Sequence, residues 1–142
     1  MSTHGGHCRC GDVSFTATGE PNFAGYCHCE DCRRASGAPV LAFVGFAREG
    51  VTWTAEPARY GEPPIQRMFC PHCGAPLAYE DARLPDRIFF YTAAMQRPDA
   101  YPPLSHSFHG ERIAWFETSD DLPRRDATSV PRPEGSSPGE TA

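Results

Sequence analysis

The sequence predicts an all-β protein, mainly antiparallel, with short helical turns. Short apolar or alternating runs rich in Val, Ile, Phe, Tyr and Trp recur along the chain, and such runs are typical of strands. Glycine and proline separate the runs, and no window keeps a helical period over three turns. Seven cysteines in clusters indicate that bound metal fixes the loops of a small β core.

The predicted elements follow one another up to residue 116. The strand-like runs are residues 13–17, 40–46, 51–54, 88–91 and 113–116. A short helical turn is predicted over residues 30–35. Strand alternation places Phe89, Phe90, Trp115 and Phe116 in the core.

At 142 residues the chain predicts one domain, because chains of this length usually close around a single core. We expect a zinc-binding domain over residues 1–118. Residues 119–142 are rich in Pro, Ser, Gly and charge, with little to bury, and predict a disordered or loosely attached tail.

Composition excludes several functional classes. The formal net charge is −5, with 13 Lys and Arg against 18 Asp and Glu, which disfavours nucleic acid as a partner. No apolar run suits a membrane helix, and the start of the chain lacks the pattern of a signal peptide, so we expect a cytoplasmic protein. In that reducing compartment clustered thiols indicate metal or redox chemistry rather than disulfides. A small molecule or another protein is the expected partner.

Two of the cysteine groups predict a closed structural metal site. Cys70 and Cys73 in "FCPHCG" have the form of a zinc knuckle, and Gly74 permits a backbone conformation that other residues resist. Cys8 and Cys10 in "HCRCG" are the natural partner pair. Four thiolates fill a tetrahedral zinc site and leave no position for substrate.

The remaining group, in "YCHCEDCRRASG", contains Cys27, Cys29 and Cys32. Zinc with three protein ligands keeps a fourth position for water or substrate, so these three cysteines predict an open, catalytic site. Two alternatives stay open. An iron–sulfur cluster is less favoured because its usual spacing is missing. A histidine would instead close the site, and the candidates are His28, His72, His106 and His109.

Four ordered motifs resemble one known family. They are "GHCRCGDVSF", "YCHCEDCRRASGA", "RMFCPHCGAPL" and the late histidine and "W…LP" ending of "HSFHGERIAWFETSDDLP". Over residues 5–123 the chain is similar to the glutathione-dependent formaldehyde-activating enzymes, a family that also includes centromere protein V. The founding activity of that family forms S-(hydroxymethyl)glutathione from glutathione and formaldehyde and is classed as a carbon–sulfur lyase.

The resemblance implies a zinc-bearing β-tent fold with two zinc ions. A structural zinc would lie on the residues matching Cys8, Cys10, Cys70 and Cys73. A catalytic zinc would lie on those matching Cys27, Cys29 and Cys32. The partition reached from spacing agrees with both assignments.

The reaction that the resemblance implies is addition of a thiol to an aldehyde. The negative charge of three thiolates exceeds the positive charge of one zinc ion and weakens that ion as a Lewis acid. This favours capture of the glutathione thiol by zinc over activation of the aldehyde carbonyl. Glutathione brings two carboxylates, and Arg33 and Arg34 follow the three cysteines directly, so both are candidate substrate-binding residues. His106, in the position of the family's late histidine, is a third candidate. Ser36 and Gly37 are expected to shape the turn that closes over the three cysteines.

Two other classes of function remain open at this point. The protein could carry glutathione or its formaldehyde adduct without turnover. It could also be a structural zinc-ribbon protein that uses its surface for a protein partner, with all seven cysteines closed off by metal and histidine.

Overall fold

The computed structural model describes residues 2–127 of the 142-residue chain. Within these residues it contains ten strands and one α-helix. The strands are β1 (Thr3–His7), β2 (Ser14–Thr18), β3 (Phe23–Cys27), β4 (Leu41–Ala47), β5 (Val51–Trp53), β6 (Ala58–Tyr60), β7 (Ile65–Phe69), β8 (Pro76–Asp81), β9 (Arg87–Tyr91) and β10 (His106–Ser107). The helix α1 spans Glu30–Ser36, and 3-10 helices span Arg48–Gly50, Thr92–Ala94, Pro98–Ala100 and His109–Glu111. The predicted mostly-β class with short helical turns is confirmed.

Contacts divide the described chain into two compact units. The first unit combines the segment up to Ala24 with Phe43–Pro102. The second combines Gly25–Ala42 with the described part of the chain that follows, residues 103–127. Each unit contains one of the two cysteine groups singled out in the sequence.

The first unit is built from antiparallel strands. One sheet has the order β1-β2-β5, and β4, β9, β8, β7 and β6 pair in that order. The β1–β2 pair places Gly6 opposite Phe15. A Cβ atom on Gly6 would lie only 2.4 Å from the Phe15 ring and 2.3 Å from the Ala94 carbonyl oxygen, so this register requires glycine.

Aromatic side chains form the centre of the first unit's core. Phe15 stacks on Phe90 with ring centroids 3.9 Å apart, and Phe46 meets Phe90 edge-on. Phe89 and Phe90 are buried as predicted. The core also contains Val13, Ala17, Val44, Met68, Leu77, Ala78 and Ile88, together with Cys8 and Cys70. Cys8 and Cys70, two of the four cysteines predicted to form the closed metal site, therefore belong to a packed apolar core.

The second unit joins two distant segments through a short parallel pair. β10 pairs with β3, with His106 opposite Tyr26 and Ser107 opposite Cys27. The Tyr26 and His28 amides donate to the carbonyls of Ser105 and Ser107, at 2.8 and 3.1 Å. This pairing leads from Cys27, the last residue of β3, directly to Cys29 and Cys32 at the start of α1.

The helix α1 follows at the predicted place, residues 30–36, and its ends have clear physical causes. The Cys29 sulfur accepts a hydrogen bond from the Cys32 amide and caps the amino end, with Glu30 and Asp31 in the first turn. Gly37 ends the helix in the left-handed conformation, φ 79°, and its amide donates to the Arg33 carbonyl. A helix of seven residues is unstable alone, so its surroundings hold it.

The four earlier predicted strands match β2, β4, β5 and β9 within one residue, but the fifth is wrong. Residues 113–116 form a turn, closed by a hydrogen bond from the Phe116 amide to the Ile113 carbonyl. Trp115 is 74% exposed and Phe116 is only half-buried, so the predicted core positions of both are also wrong. An apolar run forms a strand only where another strand pairs with it, and in the described chain none pairs with this run.

The start of the predicted tail makes specific contacts in the second unit. The Arg125 amide donates to the His106 carbonyl at 2.8 Å, and the His106 amide donates to the Pro123 carbonyl at 2.8 Å. Residues 128–142 of that predicted tail lie outside the described residues. Among residues 2–127, no helix has the length and apolar character needed to cross a membrane.

Candidate metal centres

The first unit brings Cys8, Cys10, Cys70 and Cys73 together. Their sulfur atoms all lie within 4.8 Å of one another, with 3.6 Å between Cys8 and Cys10 and 3.8 Å between Cys10 and Cys70. A tetrahedral zinc ion with Zn–S bonds of about 2.3 Å sets sulfur atoms about 3.8 Å apart. The donor set and its spacing therefore fit a closed four-thiolate zinc site.

Local hydrogen bonds shape the two loops of this cluster. The Cys8 amide donates to the Val13 carbonyl at 2.9 Å, and the Gly74 amide donates to the Cys70 carbonyl at 2.8 Å. Gly74 has φ 77°, which confirms the conformational role predicted for it. The amides of His72 and Cys73 donate to the Cys70 sulfur at 3.3 and 3.4 Å.

The thiols of Cys8, Cys10 and Cys73 do not ionise independently. The Ala75 amide leads the interactions that lower the pKa of Cys73 to about 6. The Asp12 amide lowers the pKa of Cys10, but desolvation and the contacts with its three neighbouring thiols outweigh it and raise that pKa to about 12. Several thiolates packed together repel one another, so full ionisation requires a cation at their centre.

The second unit brings Cys27, Cys29 and Cys32 together. Their sulfur atoms also lie within 4.8 Å of one another, and Cys27 and Cys32 are 3.7 Å apart. All three side chains are buried. The spacing again fits the edge of a tetrahedral site. Among residues 2–127, neither a histidine nor a carboxylate joins this group.

The three cysteines occupy different positions in the local structure. Cys27 ends β3, Cys29 caps α1, and Cys32 lies in the first turn of α1. Contacts with Cys29 and Cys32, then burial, raise the pKa of Cys27 well above its ordinary value. The pKa of Cys29 is also raised: its contact with Cys27 lowers it, but Cys32 and burial outweigh that contact. Without a cation these buried thiols favour their neutral form.

Ser36 and Gly37 form the carboxyl end of α1. The Ser36 hydroxyl donates to the Cys32 carbonyl at 2.9 Å, and Gly37 provides the carboxyl-terminal cap. They fix the length of α1, and through it the position of Cys32.

The two candidate arginines occupy different environments. The half-buried Arg33 donates to the carbonyls of His28 and Glu111, at 3.2 and 3.1 Å. The Arg34 side chain is 76% exposed and pairs with the Glu30 carboxylate at 2.6 Å. Arg33 therefore ties the backbone between the cysteines to a distant segment, and Arg34 presents its guanidinium on the surface.

His106 lies at the centre of a hydrogen-bonded line formed by His28, His106 and Asp120, which the sequence did not reveal. Its Nδ1 atom lies 2.8 Å from His28 Nε2, and its Nε2 atom lies 3.0 Å from the Asp120 carboxylate. His28 and His106 are 1% and 0% exposed, and Tyr26 stacks on His106. The line therefore runs from a residue between two of the cysteines to one that the sequence assigned to the tail.

The carboxylate determines the tautomers along this line. Asp120 can only accept, so the His106 Nε2 atom donates to it. With one proton on each ring, His106 Nδ1 must then accept from His28 Nε2. His28 Nδ1 is left with a bare lone pair, and this buried atom has no hydrogen-bond partner among the described residues.

Burial and hydrogen bonds also shift the pKa values of His28 and Asp120. Desolvation, followed by the neighbouring His106 and His109 rings, lowers the pKa of His28 to about 4. Partial burial opposes ionisation of Asp120, but hydrogen bonds from Thr118, His106, the Leu122 amide and Arg124 outweigh it and hold the pKa of Asp120 well below its usual range. At neutral pH His28 is therefore neutral and Asp120 is charged.

Comparison with known proteins decides the family. The model of the family described as glutathione-dependent formaldehyde-activating enzyme matches residues 3–111, which include all seven cysteines. The chain belongs to this family.

One curated protein and one solved structure are also similar to this family member. An uncharacterised lyase of Schizosaccharomyces pombe is 30% identical over 88 residues, which cover 60% of this chain and 64% of the yeast protein. The chain thus spans less than two thirds of that relative. The crystal structure of a Rhodobacter sphaeroides protein is similar in fold, with a TM-score of 0.54 and 21% identity over 65% of this chain and 87% of the other.

Both cysteine groups lie within the part of the chain that matches the formaldehyde-activating family. Both groups have the composition and spacing to hold metal ions. One group has a fourth thiol and the other does not. That difference is the basis of the function proposed below.

Proposed function

We propose that this protein is a zinc-dependent carbon–sulfur lyase of the S-(hydroxymethyl)glutathione synthase type, which adds the glutathione thiol to formaldehyde or a related small aldehyde. One observation carries the proposal: three buried thiols form a metal-sized group that no fourth ligand among residues 2–127 completes. The family match supports the identity of the substrates.

The reaction joins two small molecules without loss of atoms. A carbon–sulfur bond forms between the thiol and the aldehyde carbon, the carbonyl double bond becomes a single bond, and the thiol proton ends on oxygen. Zinc bound by Cys27, Cys29 and Cys32 would supply a fourth position at which a thiol ionises near neutral pH. The three cysteines would hold the zinc ion in place, and their burial would limit the access of competing water.

The neighbouring side chains take separate parts in this proposal. Arg34 is exposed, and its guanidinium can exchange the Glu30 carboxylate for a carboxylate of glutathione. Arg33 positions the cysteine loop through the His28 carbonyl. The full burial of His106 favours a positioning part over direct contact with glutathione.

The same three-thiol group would also serve a carrier that binds glutathione or its adduct without turnover. Rates of adduct formation measured against the uncatalysed reaction separate the two functions, because a carrier changes the free adduct concentration and gives no turnover. For an enzyme we expect a rate proportional to protein concentration, lost in Cys32→Ser and kept in Arg97→Ala, an exposed residue of the first unit.

A stoichiometric change without turnover would instead establish a carrier. Rates equal to background, with no binding of glutathione, would leave a structural zinc protein that acts through its surface. Metal analysis before and after addition of glutathione shows whether the three-cysteine group responds to the thiol at all.

A further inference from the structure

The outer side of the four-cysteine cluster carries a second group of ligand atoms that the proposed function does not use. Cys10, Asp12 and His72 each place one ligand atom within 4.8 Å of the other two. Cys10 Sγ lies 3.8 Å from His72 Nδ1, which in turn lies 2.6 Å from Asp12 Oδ2. Cys10 therefore belongs to both groups.

This second group faces solvent, unlike two of the four cysteines in the cluster beside it. Cys8 and Cys70 are buried, whereas Cys10 is exposed, and the side chains of His72 and Asp12 are 71% and 59% exposed. An ion in solution can reach these three ligands without any movement of the first unit's core.

The loops that form the cluster also hold the second group in place. Asp12 lies two residues after Cys10, in the turn closed by hydrogen bonds from Gly11 to Cys8 and from Cys8 to Val13. His72 lies between Cys70 and Cys73 of the knuckle. A metal ion in the four-cysteine cluster would therefore preorganise the second group as well.

The donor chemistry suits a second ion of the zinc class. Sulfur, imidazole nitrogen and carboxylate oxygen are the three ligand types that zinc accepts in proteins. A thiolate keeps further lone pairs after it binds one metal, so Cys10 can bridge two ions. Four thiolates carry more negative charge than one divalent ion neutralises, and the Asp12 carboxylate adds to that excess. Coulomb attraction therefore favours a further cation here.

We infer that Cys10, Asp12 and His72 bind an additional divalent cation of the zinc class, bridged through the Cys10 thiolate to the ion of the four-cysteine cluster. The inference requires the cluster to hold its own ion, and it is independent of the reaction proposed for the three-cysteine group. The competing explanation is an exposed Asp–His pair, which contributes little by itself.

Cadmium-113 NMR of the full-length protein tests this inference directly. The protein is loaded with ¹¹³Cd²⁺ and then titrated with further ¹¹³Cd²⁺. We expect an additional resonance, split by scalar coupling to the four-thiolate resonance, because only a shared sulfur connects the two ions. Asp12→Asn and His72→Gln should each abolish that resonance and leave the four-thiolate resonance in place.

Matched controls are available in the same unit. Asp99→Asn and His7→Gln remove an exposed carboxylate and an exposed imidazole that belong to neither group, and both should keep the additional resonance. The inference is overturned if no additional resonance develops, if it shows no coupling, or if it persists in Asp12→Asn or His72→Gln. None of these results depends on turnover, so failure here is distinct from failure of the proposed reaction.

Discussion

The two cysteine groups differ less in their sulfur chemistry than in what surrounds the sulfurs. The first has four thiols on two loops far apart in sequence, with one side in solvent. The second has three buried thiols within six residues, behind which lies a line of two histidines and a carboxylate. A fourth thiol closes a site and makes it structural, whereas a missing one leaves a position that the protein must protect by burial.

The largest effect should come from removing a thiol of the closed cluster. Cys70→Ser takes a buried ligand from the edge of the first unit's core and should cost several kcal/mol of unfolding free energy together with one bound ion. Cys32→Ser should lose one ion and the activity while the first unit stays folded. Metal content and thermal unfolding, measured on both variants, check the contrast.

Equal loss of stability in Cys70→Ser and Cys32→Ser would contradict this division of tasks. NMR spectra of the first unit's core, for example of Leu77, show whether that unit survives in each variant.

His106→Phe should be the next most damaging change. Phenylalanine keeps the ring volume but leaves the buried His28 Nε2 without its partner and removes one of the hydrogen bonds to Asp120, at a cost of about 3 kcal/mol. Asp120→Asn keeps an oxygen acceptor and removes the charge, and should cost about 1 kcal/mol. Urea unfolding of metal-loaded protein measures both.

If His106→Phe unfolds at the same urea concentration as the wild type, the buried line does not stabilise the second unit. Arg125→Ala is a suitable control, because its backbone, and not its side chain, bonds to His106.

Acidification should weaken the second unit through His28. Its folded pKa of about 4 lies below the ordinary value of 6.5, so between these pH values the unfolded chain binds more protons. Stability is therefore complete above pH 6.5 and falls as the pH approaches 4, by at most about 3 kcal/mol. The slope of unfolding free energy against pH should be shallower in His28→Gln at equal metal content. An unchanged slope would assign the acid sensitivity to other groups.

The smallest effect should come from the exposed arginine. Arg34→Ala should weaken glutathione binding by about tenfold, the value of one charge-assisted contact, with metal content unchanged. Arg33→Ala should instead alter the metal affinity of the three-cysteine group, because its guanidinium holds the His28 carbonyl. Calorimetric titration of both variants, with Arg97→Ala as control, measures the difference. Unchanged glutathione affinity in both would remove arginine from the binding site.

The cysteines cluster in the structure as their spacing predicted, because gaps of one or two residues bring sulfurs close together. The joining of Cys8 and Cys10 to Cys70 and Cys73 came from the count of ligands that a closed zinc site needs. The sequence also predicted Gly74 and the helix after Cys29. Trp115 was misassigned because its apolar run has no pairing strand among the described residues. Asp120 was missed because its partner is 14 residues away and its own segment looks polar and unstructured. Contacts that depend on tertiary pairing leave no local pattern.

The parallel pairing of β10 with β3 has a consequence for the newly made chain. His28 and His106 are 78 residues apart. At a synthesis rate of about 5–20 residues per second, the ribosome delivers the second histidine roughly four to sixteen seconds after the first. During that interval Cys27, Cys29 and Cys32 have left the ribosome, but the segment with His106, which pairs with His28, has not. The nascent chain thus exposes three clustered thiols to metal ions and oxidants before His106 can pair with His28.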